Sequence, residues 1–215
     1  HGPSLMAGLS QWESLEKPFQ DHIKKILFEN ESTHNYQPYK SYCNGYPDWS
    51  NKSNTGKIKE LIPNQGWNWL QGDLKVQGEL FGGNIEVLEF LKGTKFWPKD
   101  DFWNNKILFL ETSEEKPTPE QIKWMLRNYG MQGIFNKICA LIIGRPMRYT
   151  KEEKEELKDN VLKVVKTEFN NNKLPIIMNM DFGHTDPQWI LPLGIKAQID
   201  CKTKSFKLIE KIFED

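Results

Sequence analysis

The chain has 215 residues, enough for one large domain or one domain with an attached segment. Its 29 basic and 29 acidic residues cancel, which argues against a nucleic-acid surface as its main business. No apolar run approaches the ~20 residues of a membrane span, no secretory signal opens the chain, and Cys43, Cys139 and Cys201 are too dispersed for a disulfide framework or a CxxC metal site, so a reducing, cytoplasmic home is expected.

Pro18 to Phe28 carries apolar residues at 19, 23, 26 and 27, a helical stripe, with His22 read as a solvated position among lysines. Residues 29–70 are polar and rich in Asn, Gly, Pro and aromatics. Lys57 to Ile62 suits a short strand there, and Trp67 and Trp69 alternate as if on one strand face. These aromatics either line a pocket or cover a small core under long loops.

Gly72 to Leu80 alternates as a half-buried strand and runs into Phe81-Gly82-Gly83-Asn84, followed by a helix over Ile85 to Leu91 with Asn84 as its N-cap. The Gly-Gly-Asn turn either offers backbone N–H groups to an anionic or carbonyl oxygen, or is simply a tight strand-to-helix turn. Asn104 to Glu111 reads as a buried strand ending on an acid. Thr118, Pro119 and Gln121 then spell a capping box with Pro at the first helical position. Ile138 to Gly144 is a further apolar strand, with Cys139 inside it as an inert core thiol. Lys151 to Phe169 is a long amphipathic helix.

Pro175 to Met180 is too short an apolar run for a helix and suits a covered strand. It delivers Asp181-Phe182-Gly183-His184-Thr185-Asp186-Pro187, a histidine between acids and breakers. Residues 196–200 and 205–209 alternate and form a plausible hairpin. Strands alternating with helices and an antiparallel pair at the end predict an α/β fold with a mixed sheet.

Two strands thus end on ionisable side chains, Glu111 and His184, and sites in open α/β sheets gather at such ends. An acid and a histidine make an orienter and a base; no serine of the chain stands in a strand–elbow–helix context, so the nucleophile is missing. The alternative for the loop is that Asp181 and Asp186 only cap its backbone and His184 only packs. A metal-dependent hydrolase using Asp181, His184, Asp186 and Glu111 is a rival, although the spacing matches no standard zinc pattern, and a non-enzymatic ligand-binding module is another.

Together ILFLETSEE, the GGN after a strand, and IIMNMDFGHTDP…LPLGIKAQID resemble the LD-carboxypeptidase and microcin-immunity (MccF-like) family of serine peptidases. The resemblance covers roughly Gly72 to the C-terminus, and HGPSLM resembles the segment by which the family leaves its first domain. It implies a C-terminal domain of the swivelling type, with a mixed or barrel-like sheet and flanking helices. Residues 1–30 would be the interdomain linker and helix, and 31–215 the domain bearing the acid and the base. It further implies a Ser-Glu-His triad with Glu111 as acid and His184 as base. The Ser would lie on an N-terminal domain absent from this sequence, so the chain alone is expected to be inactive.

Asn84 and Gly83 would bind substrate, and Trp49 would correspond to an aromatic that packs on it. No cofactor and no metal are implied. The implied substrate is a microcin-like aminoacyl-nucleotide, cleaved for self-immunity and antibiotic resistance; the other branch trims murein tetrapeptides. Trp49, Trp67 and Trp69 favour the first branch, since aromatics stack on nucleobases. The implied partners are the protein's own N-terminal domain and a second copy in a homodimer, with no nucleic acid and no membrane.

Overall fold

A computed structural model describes residues 1–5 and 8–213. Apart from short 3₁₀ and π segments, the elements are α1 (Lys17–Phe28), β1 (His34–Tyr36), β2 (Ser41–Cys43), β3 (Leu61–Pro63), β4 (Asn68–Gln71), β5 (Lys75–Asn84), α2 (Ile85–Leu91), β6 (Ile107–Glu111), α3 (Pro119–Met131), β7 (Ala140–Arg145), α4 (Lys151–Leu162), β8 (Ile176–Gly183), β9 (Lys196–Asp200) and β10 (Ser205–Leu208). Eight strands form one mixed sheet in the order β1-β10-β9-β5-β6-β7-β8-β4, and β2 pairs separately with β3. β5 to β8 run parallel; β9, β10, β1 and β4 are added antiparallel. This is the mixed α/β architecture that the alternation of strands and helices predicts.

Of the parallel strands, β6, β7 and β8 are covered on both faces, which is why they read as apolar runs, whereas β5 stays half-exposed. On one face Leu108, Leu110, Leu141 and Ile143 pack under Ile122 and Leu126 of α3 and Leu157 and Val161 of α4. On the other, Ile107, Phe109, Ile142, Met180 and Phe182 meet Phe19, Ile23 and Ile26 of α1 together with Trp189 and Phe206. Each such side chain stabilises the fold by roughly 1.5–3 kcal/mol when buried, and a one-residue slip of a strand would exchange the two sets, so register is firmly specified.

α2 spans the expected residues, and the capping box of α3 forms with Thr118 and Gln121. β5 does not stop at Leu80. It stays paired with β6 through Gly82 and Gly83 to Asn84, because a Cβ on Gly82 would lie 1.7 Å from the Phe109 carbonyl oxygen. The long helix ends at Leu162 and continues as a π-helical turn over Lys163–Glu168. Only the last part of the stretch that suits a strand at 57–62 becomes β3.

Two sequence readings are corrected. His22 is buried, not solvated, because α1 turns that flank toward β1. Cys139 precedes β7 and is half-buried, whereas Cys43 is buried in β2; burial pushes both thiols up to about 11, so neither is an activated nucleophile. Of the two readings of Trp67 and Trp69, the core-covering one holds: 6.3 Å apart, they pack against the second core.

β8 carries irregularities that set the geometry of its C-terminal end. Asn179 takes a left-handed conformation with φ 60°, and the pairing with β7 jumps from Ile142↔Ile177 to Gly144↔Met180. Ile176 and Met178 face the α3/α4 core, but Met180 and Phe182 face the α1 core. The bulge changes which residues of the strand end share a face with β6. Asn tolerates this conformation better than most residues.

Candidate active site

Glu111 is the last residue of β6 and His184 follows the last residue of β8. The two strands are separated only by β7. With the Asn179 bulge in place, Phe109 and Phe182 meet at 5.8 Å, and one step further along each strand Glu111 Oε2 lies 2.8 Å from His184 Nδ1. Glu111 is 1 % exposed, and its Oε1 has no hydrogen-bond partner among the described residues. Gly183 carries φ +109°, a conformation that favours glycine, and a Cβ there would come within 3.1 Å of the Glu111 side chain.

The imidazole is bonded on both sides: Nε2 lies 2.9 Å from Oε2 of Glu114, a residue that nothing in the polar loop after β6 singles out by sequence. The His184 pKa is raised, first by the hydrogen bond to Glu111 and further by the negative field of Glu111, Glu114 and Glu86, with burial opposing. Carboxylates facing both nitrogens favour the imidazolium, which can donate from Nδ1 and from Nε2.

The other sequence candidates fall around this pair unequally. Asn84 stands opposite Glu111 in the β5–β6 register, with Gly83 beside Leu110. The Asn84 side chain accepts from Val87 N at 2.9 Å, which makes it the helix cap and favours the tight-turn reading of Gly-Gly-Asn. Trp49 is 52 % exposed, packs on Tyr46 at 5.2 Å, and lines with Tyr46, Glu114, His184 and Gln188 a cleft of about 300 Å³. Two further cavities, of about 330 and 450 Å³, are lined by neither Glu111 nor His184.

The acids of the loop are not arranged around a metal. Asp181 turns to Arg145 Nη2 at 2.5 Å, to Asn64 Nδ2 at 3.2 Å and to Trp67 Nε1 at 2.9 Å. Among the described residues no group of three or more His, Cys, Asp or Glu is placed to hold a metal ion.

Asp186 is 1 % exposed. It accepts from Gln188 Nε2 through Oδ1, while Oδ2 has no partner among the described residues. Burial pushes its pKa up to about 6, against the Gln188 bond and the nearby His184, which pull it down. A carboxyl raised in the folded state favours the fold while protonated, and the cost of ionising it grows as pH rises from about 4 to 6. Asp186→Asn is therefore expected to stabilise the chain at pH 7 by up to about 3 kcal/mol and to make no difference near pH 4. Urea titrations of both proteins at the two pH values check this; equal stability at pH 7 defeats it.

The family model that describes the LD-carboxypeptidase C-terminal domain matches residues 77–199, the stretch that carries both strand ends. This chain belongs to the LD-carboxypeptidase C-terminal domain family. Within that family it is similar to the microcin C7 self-immunity protein MccF of Escherichia coli, 25 % identical over 98 % of this chain and 59 % of that protein. An MccF-like protein from Streptococcus pneumoniae, solved in complex with AMP, superposes with TM-score 0.74 at 26 % identity, over 89 % of this chain and 57 % of that one. MccF in complex with glutamyl sulfamoyl guanosine shares the fold, at TM-score 0.74 and 22 % identity over 99 % of this chain and 61 % of that one. The chain spans about three-fifths of the length of the curated relatives that match it over nearly its whole extent. Among the described residues no helix is long and apolar enough to cross a membrane.

Proposed function

We propose that this chain supplies the acid and the base of a serine peptidase or amidase, with Glu111 orienting His184 and the nucleophilic serine carried by a separate N-terminal domain outside this sequence. The observation that carries the reading is the 2.8 Å contact between Glu111 and His184 at the ends of two covered strands, with the imidazole opening onto a cleft. Rigid strands hold the pair in a way that a surface ion pair does not. Among the described residues Nε2, the nitrogen that would face a nucleophile, meets Glu114, which suits a base whose serine comes from elsewhere.

In the mechanism, Glu114 withdraws and His184 gives up its Nε2 proton to solvent. Neutral His184 then takes the serine proton as the Oγ–carbonyl bond forms. Nδ1–H stays on Glu111, which fixes the tautomer and stabilises the imidazolium. His184 next passes that proton to the amine nitrogen as the carbonyl C–N bond breaks, and water then hydrolyses the acyl-enzyme along the same route, releasing the serine.

The substrate proposed is an aminoacyl-nucleotide amide of the microcin type. The exposed Trp49–Tyr46 pair in the His184 cleft supports it, being suited to stack on a nucleobase, as do relatives solved with AMP and with an aminoacyl sulfamoyl nucleoside. Asn84 and Gly83, beside Glu111, are proposed to contact the substrate near the scissile bond. The second reading, trimming of murein tetrapeptides, is supported by a relative described as a probable murein peptide carboxypeptidase. Three free cysteines suit a cytoplasmic setting for either.

The test is hydrolysis by the whole protein and by this chain alone of an aminoacyl sulfamoyl adenosine and of a murein tetrapeptide. Turnover of the first by the whole protein only is expected. Turnover by this chain, stopped by a serine-directed inhibitor, defeats the division of the triad, and turnover of the tetrapeptide alone replaces the substrate.

A further inference from the structure

Arg145, the last residue of β7, is fully buried, and its guanidinium lies against the loop that carries His184. Nη2 donates to Asp181 at 2.5 Å and Nη1 donates to Thr185 Oγ1 at 3.2 Å, two residues that bracket Gly183 and His184. The guanidinium carbon sits 4.2 Å from the Tyr42 ring centroid, which closes off its other side. Asp181 is itself pinned by Trp67 and Asn64, and its carbonyl accepts from Trp189 N at 2.7 Å. A buried ion pair is weak evidence for stability, since apolar residues of the same volume often do as well; its distinctive contribution is fixed geometry. Geometry is what this loop lacks: it leaves the sheet through a glycine in the left-handed region, and β8 has already slipped register twice against β7.

We infer that Arg145 is the positioning residue of the His184 loop, holding Asp181 and Thr185 from behind so that the imidazole meets Glu111. It touches neither reacting atoms nor the cleft and acts only through the loop. The inference deepens the proposed function and rests on it for its catalytic meaning.

The test is made on the 215-residue chain by following the His184 Nδ1–H resonance and its titration in Arg145→Lys, Arg145→Met and, as a reference, Glu111→Gln. Lys keeps the charge but cannot bridge both partners; Met keeps the volume but not the charge. If positioning is the role, both Arg variants broaden or lose the resonance and lower the His184 titration point, in the direction expected of Glu111→Gln. A role limited to positive charge would leave Lys unchanged and raise the titration point in Met. In the whole protein both variants are expected to lose roughly 10- to 100-fold in kcat with KM within about twofold.

A folded Lys or Met variant with an unmoved His184 signal overturns the inference. Should both Arg variants fail to fold, Thr185→Val, which removes one of the two contacts, carries the test, and an unmoved signal there overturns it equally. A whole-protein rate indifferent to Glu111→Gln would instead sink the functional reading, and the resonance data on Arg145 would stand apart from that failure.

Discussion

Replacing Glu111 by Gln in the whole protein is expected to lower kcat by on the order of 10³ to 10⁴ while the fold survives. The substitution keeps volume and hydrogen-bonding capacity at a site that is 1 % exposed and already bonded to His184, so no cavity and no new clash arise. It removes the negative charge that stabilises the imidazolium. It also lets an amide N–H face Nδ1, which favours the wrong tautomer.

The same change has a titration signature. The native pairing raises the His184 pKa above its ordinary 6.5, mainly through the Glu111 bond. The pairing therefore stabilises the fold fully below about pH 6.5 and less as pH rises through the raised value. A base must be neutral, so the rate of the native protein climbs with pH through that raised value, whereas the residual rate of Glu111→Gln climbs at lower pH. Pre-steady-state rates across about pH 5 to 9 measure both effects. An undiminished rate removes Glu111 from the role of orienter.

Much of this site is legible in the sequence. Glu111 and His184 can be picked out because each ends an unbroken apolar run, and such runs are the signature of parallel strands covered on both faces. The capping residues Asn84 and Thr118 are readable because caps are local chemistry. What escapes is non-local. The bulge at Asn179, which turns Met180 and Phe182 to the face of Phe109, depends on pairing with β7 and leaves no periodic mark. Arg145 reads as the polar end of a strand, and only the tertiary fold buries it between Asp181, Thr185 and Tyr42. Glu114 sits in a polar loop that by composition looks solvated; its contact to Nε2 follows from how that loop folds back. The misreading of His22 has the same origin: lysines at 24 and 25 mark the helix as wet, yet its partner lies twelve residues away on another element.

His22 is also where acid is expected to damage the fold most. The backbone N–H of Ile190 donates to His22 Nε2 at 2.8 Å, so that nitrogen must be bare and the proton sits on Nδ1. Nδ1 lies 2.9 Å from His34 Nε2, which must then accept, so the proton of His34 sits on its own Nδ1. Both rings are thereby held neutral. Protonating either bare nitrogen sets two N–H groups against each other inside the protein.

Burial, followed by the charge of His34, pushes the His22 pKa down to about 3, and burial with Lys25 nearby pushes His34 to about 4. Histidines that stay neutral in the fold but protonate once unfolded favour the fold above about pH 6.5, and that advantage drains away as pH falls. For His22 alone the loss by about pH 4 is roughly 3 kcal/mol, a large part of the roughly 5–15 kcal/mol typical of a domain. His22→Gln keeps a side-chain oxygen as acceptor toward Ile190 and cannot titrate in this range. Urea midpoints at about pH 7.5 and 4.5 should therefore draw further apart in the native chain than in the variant. Identical pH dependence in the two proteins would show that the histidine pair carries none of the acid sensitivity. A native chain less sensitive than the variant would mean that the pair is protonated in the fold.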